Sequence, residues 1–330
     1  MSPLATHTPE PRTTAAAPPG PARRDLLDLE TLPTPELVRL LAGAAAFRRV
    51  LATPSRKKPV LAGVALANVF FEPSTRTRVS FEWAAKRVGA DSVSFVSQGS
   101  SVGKGESLLD TVWTLESMGV DLVVVRHQSA GVPRFLAGHL SARVINAGDG
   151  AHEHPTQGLL DARTLLDHWE SLAGRRITIV GDIAHSRVAR SNAMLLTALG
   201  AHVRFAGPRT LLPPVDNAYR VATFDRVEPA LEGADVVMAL RIQQERLSGA
   251  LLPSLREYAR LFGISAARLA LAKPDAIVMH PGPINRGVEL DGALADGPRS
   301  VILDQVEAGV AVRMAVLYLL SAEPGQTPLA

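Results

Sequence analysis

Short apolar runs alternate along this chain with segments whose apolar positions recur at helical spacing. "VALANVF" (64–70), "DSVSFV" (91–96), "VDLVVVR" (120–126) and "ARVINAG" (142–148) read as strands. Between and after them lie helical patterns: "TRVSFEWAAKRV" (77–88), with Val79, Trp83 and Val88 among its apolar positions, "ESLLDTVWTLESMG" (106–119), and "PTQGLLDARTLLDHW" (155–169). The last opens on a proline, which suits a first helical turn. A second series follows: "RRITIVGD" (175–182), "SRVARSNAMLLTALG" (186–200), "AHVRFAG" (201–207), "ADVVMAL" (234–240) and "DAIVMHP" (275–281). A final helix covers "DQVEAGVAVRMAVLYLL" (304–320). Strand–helix alternation predicts parallel sheets flanked by helices. Two series joined by one long helix predict two α/β domains.

In open α/β sheets, ligands collect beyond the carboxyl ends of the strands. The unusual polar clusters all fall there: Glu72–Arg78, Arg126–His127, Asp149–Gln157, Asp182–Arg187, Arg241–Gln243 and His280–Arg286. One such arginine is an ordinary surface charge. Six clusters at six strand ends point to a cleft.

Composition narrows the chemistry. The chain has 330 residues, 46% hydrophobic and 20% charged, enough for two soluble domains. It has no cysteine, which excludes disulfides, thiolate catalysis and cysteine-ligated zinc. Net charge is +3, of which Arg12, Arg23 and Arg24 against Glu10 supply +2, so the remainder is nearly balanced and carries no nucleic-acid footprint. No apolar run is long enough for a membrane span. Residues 1–24 hold six prolines and no apolar core, so a disordered tail is expected, and with it a cytoplasmic protein.

"FFEPSTRTR" (70–78) is the densest cluster. A helix starting near Ser74–Thr75 would point its unpaired amides outward, and Ser74, Thr75, Thr77 and Arg76 would add hydroxyls and a bidentate cation: a phosphate cradle. Ser74 as a mere helix cap is the plainer reading, but it leaves Arg76 and Thr77 unexplained. "SSVGKGES" (100–107) is a glycine-flanked loop with Lys104, unremarkable alone. His154 and Gln157 in "HEHPTQ" share the start of a helix. Two nearby histidines lack an evident third ligand, so no metal is expected. "VGDIAHSR" lacks the G-x-G-x-x-G spacing, so no dinucleotide is expected. Arg187, Arg241, Gln243 and Arg246 suit carboxylates, or plain surface salt bridges.

"FFEPSTRTR", "KGES", "VVRH", "NAGDGAHEHPTQ", "GDIAHSRVARSN", "RIQQER" and "MHPGPINRGVE", in that order over roughly residues 25–320, resemble the aspartate/ornithine carbamoyltransferase family. "RIQQER" and "HPGPINRGVE" resemble its aspartate branch, whereas the ornithine branch carries a cysteine-containing "HCLP" loop. The alternatives are that ornithine or a related transferase, and a catalytically inactive relative. The resemblance implies a carbamoyl-phosphate domain (25–160), an aspartate domain (161–304) and a last helix (305–330) returning to the first domain. It implies that Ser74, Thr75, Arg76 and Thr77 hold phosphate, and that Thr77, Arg126 and His154 polarise the carbamoyl oxygen. Gln157 and the backbone around Pro281, Gly282 and Pro283 would hold the carbamoyl amide, and Arg187, Arg241 and Gln243 the aspartate. Lys104 and either Ser100 or Ser101 would enter from a neighbouring subunit of a homotrimer, and Glu72 would orient Arg187 or Arg246. No cofactor is implied. Some relatives bind regulatory chains or a dihydroorotase partner; others act alone.

Overall fold

The computed structural model describes residues 25–96, 107–214, 221–242 and 254–321. The first half contains α1 (Thr34–Leu51), β1 (Ala65–Phe70), α2 (Thr75–Val88), β2 (Asp91–Val96), α3 (Leu108–Ser117), β3 (Leu122–His127), α4 (Val132–Ala137) and β4 (Arg143–Asp149). Helix α5 (Pro155–His168) leads into the second half: β5 (Arg176–Val180), α6 (Arg187–Ala198), β6 (His202–Ala206), β7 (Ala222–Phe224), α7 (Val227–Leu231) and β8 (Val236–Ala239). Then come α8 (Leu255–Phe262), α9 (Ala266–Leu269), β9 (Ile277–Met279), α10 (Gly292–Ala295) and α11 (Ile302–Ser321).

Two fully parallel sheets result, ordered β2-β1-β3-β4 and β7-β6-β5-β8-β9. Their central strands are nearly continuous apolar runs because both faces are covered. In the first sheet the chain leaves β1 to one side for β2 and returns to its other side for β3. In the second, β5 is flanked the same way by β6 and β8. Each sheet therefore has a switch point, between β1 and β3 and between β5 and β8. These are the places where an open α/β sheet gathers ligands.

One core runs through both halves. It joins Leu66, Phe70 and Val124 of the first sheet to Ile177, Phe205 and Met238 of the second. Helix α11 lies within it and packs against α1, α2 and α5, so the last helix returns to the first domain as expected. Two satellite clusters close the outer faces of the sheets. Among the described residues, no helix is long and apolar enough to cross a membrane.

Not every apolar position of α2 is buried. Helix α2 does not bury Val79 and Trp83, which are 36% and 51% exposed. It buries Thr77, Phe81, Ala84, Ala85 and Val88, one stripe facing the sheet and α11. The small alanines let α11 approach, while Val79 and Trp83 point away.

Candidate active site

The loop after β1 ends on Ser74, the residue before the first helical position of α2. Ser107, Ser186, Ser254 and Ser265 stand at the same place on other helices, and each accepts a backbone N–H. Ser74 does not, so its hydroxyl is not spent as a cap. The cap reading of this serine therefore fails on geometry. Arg76, one residue into the helix, makes no hydrogen bond or ion pair with the described residues. Its side chain is exposed at the cleft mouth, and partial desolvation, then the nearby charge of Arg241, lower its pKa. Thr77 is buried beside it.

Glu72, in the same loop, joins the two switch points. Arg126, from β3, donates to its Oε1 at 3.3 Å. Arg187, the first residue of α6, donates to Oε1 at 3.0 Å and Oε2 at 2.9 Å. The expected Glu72–Arg187 contact is thus present, with Arg126 added. The guanidiniums also grip backbone carbonyls: Arg126 that of Ala147 at 3.1 Å, and Arg187 that of Gly150 at 3.2 Å. Between them runs Gly148, at φ +116°, where an added Cβ would lie 3.0 Å from atoms of both arginines. Only glycine leaves room for this approach.

The loop from Asp149 to His154 is held by buried carboxylates. Asp149 accepts from the amide of Gly131 at 2.7 Å and the side chain of Asn146 at 2.8 Å. Glu153 accepts from the amides of Leu29 and Glu30 and from the Ser191 hydroxyl. Ser191 Oγ in turn accepts from the His154 amide at 2.9 Å. The ligand atoms of Glu30, His152 and Glu153 lie within 4.8 Å of one another, a spacing that would admit a metal. Each is already engaged, His152 with Asp149 and Glu30 with Arg190, so the cluster is accounted for as a brace.

His154 itself is buried, and its ring Nδ1 has no partner among the described residues. Burial first, then Arg126, Arg187 and Arg313, drive its pKa well below the usual imidazole value. The ring is neutral at physiological pH. A neutral imidazole keeps one N–H, which can donate a hydrogen bond to an oxygen gaining negative charge without giving up the proton.

From the second domain comes the turn after β9. His280 Nδ1 accepts from the Gly282 amide at 2.8 Å, so its proton sits on Nε2, which donates to Glu289 Oε1 at 3.1 Å. Glu289 also accepts from the Asn285 amide at 2.6 Å. The turn contains a cis Gly282–Pro283 bond. An added Cβ on Gly282 would meet Arg76 Nε at 3.4 Å, which brings this turn beside the phosphate-cradle candidate.

The structure thus brings Arg76, Thr77, Arg126, His154, Arg187 and the 280–283 turn to one cleft between the sheets, with Glu72 among them and Arg241 close to Arg76. Gln157 lies one helical turn beyond His154 and donates to Asp161 Oδ1 at 3.0 Å. Ser100, Ser101, Lys104, Gln243 and Arg246 lie outside the described residues. Motif reading misses Asp161, Asn192, Gln305 and Arg313. All four are buried polar groups set among the buried apolar and small residues of α5, α6 and α11, and that mismatch is the signal they leave in the sequence. Arg313 lies over the Phe81 ring, donates to Ser80 Oγ at 3.0 Å, and has its pKa lowered by burial to about 10.

A cationic, two-domain cleft at paired switch points defines an enzyme for anionic substrates. Family profiles agree. Residues 24–167 match "Aspartate/ornithine carbamoyltransferase, carbamoyl-P binding domain", and residues 173–320 match "Aspartate/ornithine carbamoyltransferase, Asp/Orn binding domain". The chain belongs to the aspartate/ornithine carbamoyltransferase family. It is 60% identical to the aspartate carbamoyltransferase catalytic subunit of Sorangium cellulosum (strain So ce56), over 92% of this chain and 94% of that one. It is 55% identical to the protein of the same name from Gemmatimonas aurantiaca, over 92% and 95%. Among solved structures it is similar to aspartate transcarbamoylase from Trypanosoma cruzi in complex with N-(phosphonacetyl)-L-aspartic acid, at 31% identity and TM-score 0.81, covering 89% of this chain and 95% of that one. It is also similar to ornithine carbamoyltransferase from Pyrococcus furiosus, at 29% identity and TM-score 0.80, covering 90% and 97%.

Proposed function

We propose that this chain transfers the carbamoyl group of carbamoyl phosphate to the amine of L-aspartate, giving N-carbamoyl-L-aspartate and phosphate, an early step of pyrimidine synthesis. The observation that carries the reading is charge. Four guanidiniums, those of Arg76, Arg126, Arg187 and Arg241, gather in one cleft, where Glu72 is the carboxylate that Arg126 and Arg187 share among the described residues. A site with that excess of cations suits two anions held side by side. The names of the relatives, and the carbamoyl phosphate and aspartate in a Trypanosoma cruzi complex, support the choice of anions.

The aspartate amine attacks the carbamoyl carbon, and the bond from that carbon to the bridging phosphate oxygen breaks. Negative charge grows first on the carbonyl oxygen. Thr77, Arg126 and neutral His154 receive it. It then passes to the departing phosphate, held by Ser74, Thr75, Thr77 and Arg76. Gln157 and the backbone at Pro281–Pro283 hold the carbamoyl amide. Arg187, Arg241 and Gln243 hold the aspartate carboxylates. The amine proton goes to the phosphate. Barrier lowering comes from preorganised donors and from proximity of the two substrates.

The test is product formation from carbamoyl phosphate with aspartate or with ornithine. Aspartate should be carbamoylated, and succinate, which keeps both carboxylates and lacks the amine, should compete with it. Robust turnover of ornithine with none of aspartate would overturn the reading, because an ornithine ammonium has no use for two arginines.

The reading extends to a homotrimer with shared sites, Lys104 and Ser100 or Ser101 entering from a neighbour. Trp83, Trp113 and Met118 leave apolar surface on the first domain, 51%, 42% and 74% exposed, which accords with partner contacts. Mixing inactive Lys104→Ala and Arg76→Ala proteins should restore part of the activity after subunit exchange, because one intact site forms where wild-type Arg76 meets a neighbour's wild-type Lys104. No recovery after verified exchange would overturn the shared site.

A further inference from the structure

We propose that Asp161 is a positioning residue that fixes which way the amide groups of the carbamoyl pocket face, turning the carbonyl of Gln157 toward the cleft. The inference rests on the reading above, in which Gln157 receives the carbamoyl amide.

A carbamoyl group presents an oxygen and an NH2 of nearly equal size. A glutamine side chain has the same ambiguity, since its amide can flip. A site that must tell one end of the substrate from the other therefore needs something that cannot flip. Asp161 is that group. An ionised carboxylate only accepts hydrogen bonds, so any amide that pairs with it must offer its NH2.

Three do. Gln157 Nε2 donates to Oδ1 at 3.0 Å, Gln305 Nε2 to Oδ1 at 2.7 Å, and Asn192 Nδ2 to Oδ2 at 2.7 Å. With its NH2 taken, Gln157 turns its carbonyl the other way, and that oxygen has no partner among the described residues. It is an acceptor waiting for an N–H donor. Gln305 is committed in the same sense: its carbonyl accepts from the His280 amide at 3.0 Å. That amide begins the turn carrying Gly282 and Pro283, the other part of the carbamoyl pocket. One carboxylate thus sets both walls.

Its location is consistent with a functional rather than a stabilising role. Asp161 is fully buried in α5, among residues that are mostly apolar. Burial raises its pKa, the three amides and Arg313 pull it back, and the balance is a pKa of about 6, on the ionised side of neutral pH; the three NH2 groups that donate to it match an acceptor carboxylate. A buried charge of this kind costs stability, and a hydrophobic residue of similar size often restores it.

The test compares binding of carbamoyl phosphate with binding of inorganic phosphate, by calorimetry on the full chain at pH 7.5. Inorganic phosphate engages the cradle but not the amide pocket. Asp161→Leu should bind carbamoyl phosphate about tenfold more weakly, about one hydrogen bond's worth, with phosphate affinity within about twofold of wild type. Asp161→Asn, which keeps one acceptor oxygen, should recover part of the loss. In a Gln157→Ala background the effect of Asp161→Leu should shrink, because the two act through one contact. If Asp161→Leu does not fold, Gln305→Met, which loosens only the second wall, should show the same split. Equal weakening of both ligands, or an unchanged ratio, overturns the inference. A wild-type protein that binds the two ligands alike overturns instead the assignment of the substrate.

Discussion

Arg76→Ala should lower turnover by about 10²- to 10³-fold, roughly 2.7–4 kcal/mol of barrier, the loss expected when one donor aimed at developing charge is removed. The residue sits in the first turn of α2, makes no contact that the fold depends on, and faces the cleft beside Gly282. Thermal unfolding should therefore stay within a few degrees of wild type, since surface changes of this sort cost about 0.5 kcal/mol or less. Steady-state kinetics with saturating aspartate, alongside a melting curve, separate the two effects. A protein with near-normal turnover would remove the phosphate cradle from the mechanism.

The second large effect is at Arg187, where the loss should fall on the acceptor. Its guanidinium is nearly inaccessible and spans both oxygens of Glu72. Truncating one partner of a buried, hydrogen-bonded charge pair costs about 2–5 kcal/mol, or roughly 30- to 4,000-fold. Arg187→Ala should lower kcat/KM for aspartate by that factor and change the affinity for inorganic phosphate far less. Arg187→Lys should not rescue it, because an ammonium cannot present the fork that Glu72 and a substrate carboxylate share. A kcat/KM for aspartate within threefold of wild type in Arg187→Ala would show that this arginine serves only the fold; the same result in Arg187→Lys alone would show that charge suffices without the fork.

Much of this architecture is legible in the chain, for a physical reason. Parallel strands buried on both faces must be continuous apolar runs, and "LVVVR" or "RITIV" fits little else. Functional side chains then collect at the ends of such runs, so the stretches carrying Glu72, Arg126, Arg187 and Arg241 mark themselves. What escapes is of two kinds. Short elements such as β7 and α4 are too brief for a period to show. Helix α1 does show one, in Leu37, Leu40, Leu41, Ala44, Phe47 and Leu51, but it falls outside the strand–helix alternation and bears no polar cluster. The other kind is pairing across long stretches. Asp161 and Gln305 are 144 residues apart, and nothing local in either segment points to the other. The buried face of α2 belongs here too. Trp83 and Val79 are apolar at a helical interval, yet the sheet and α11 require the narrower stripe of Phe81 and the alanines.

The return of α11 bears on how the protein comes into being. Its residues Ala308, Ala311, Val312, Ala315, Val316 and Leu319 belong to the core between the sheets, and Leu319 and Ala315 sit so close to Gly43 that a Cβ there would meet them at 3.2 and 3.3 Å. The nascent first domain therefore leaves the ribosome with a layer missing. It must wait, its apolar underside uncovered, while the whole second sheet is made, and it closes only when α11 emerges. The two domains have separate sheets, but α11 joins them in one core, and they mature as one unit.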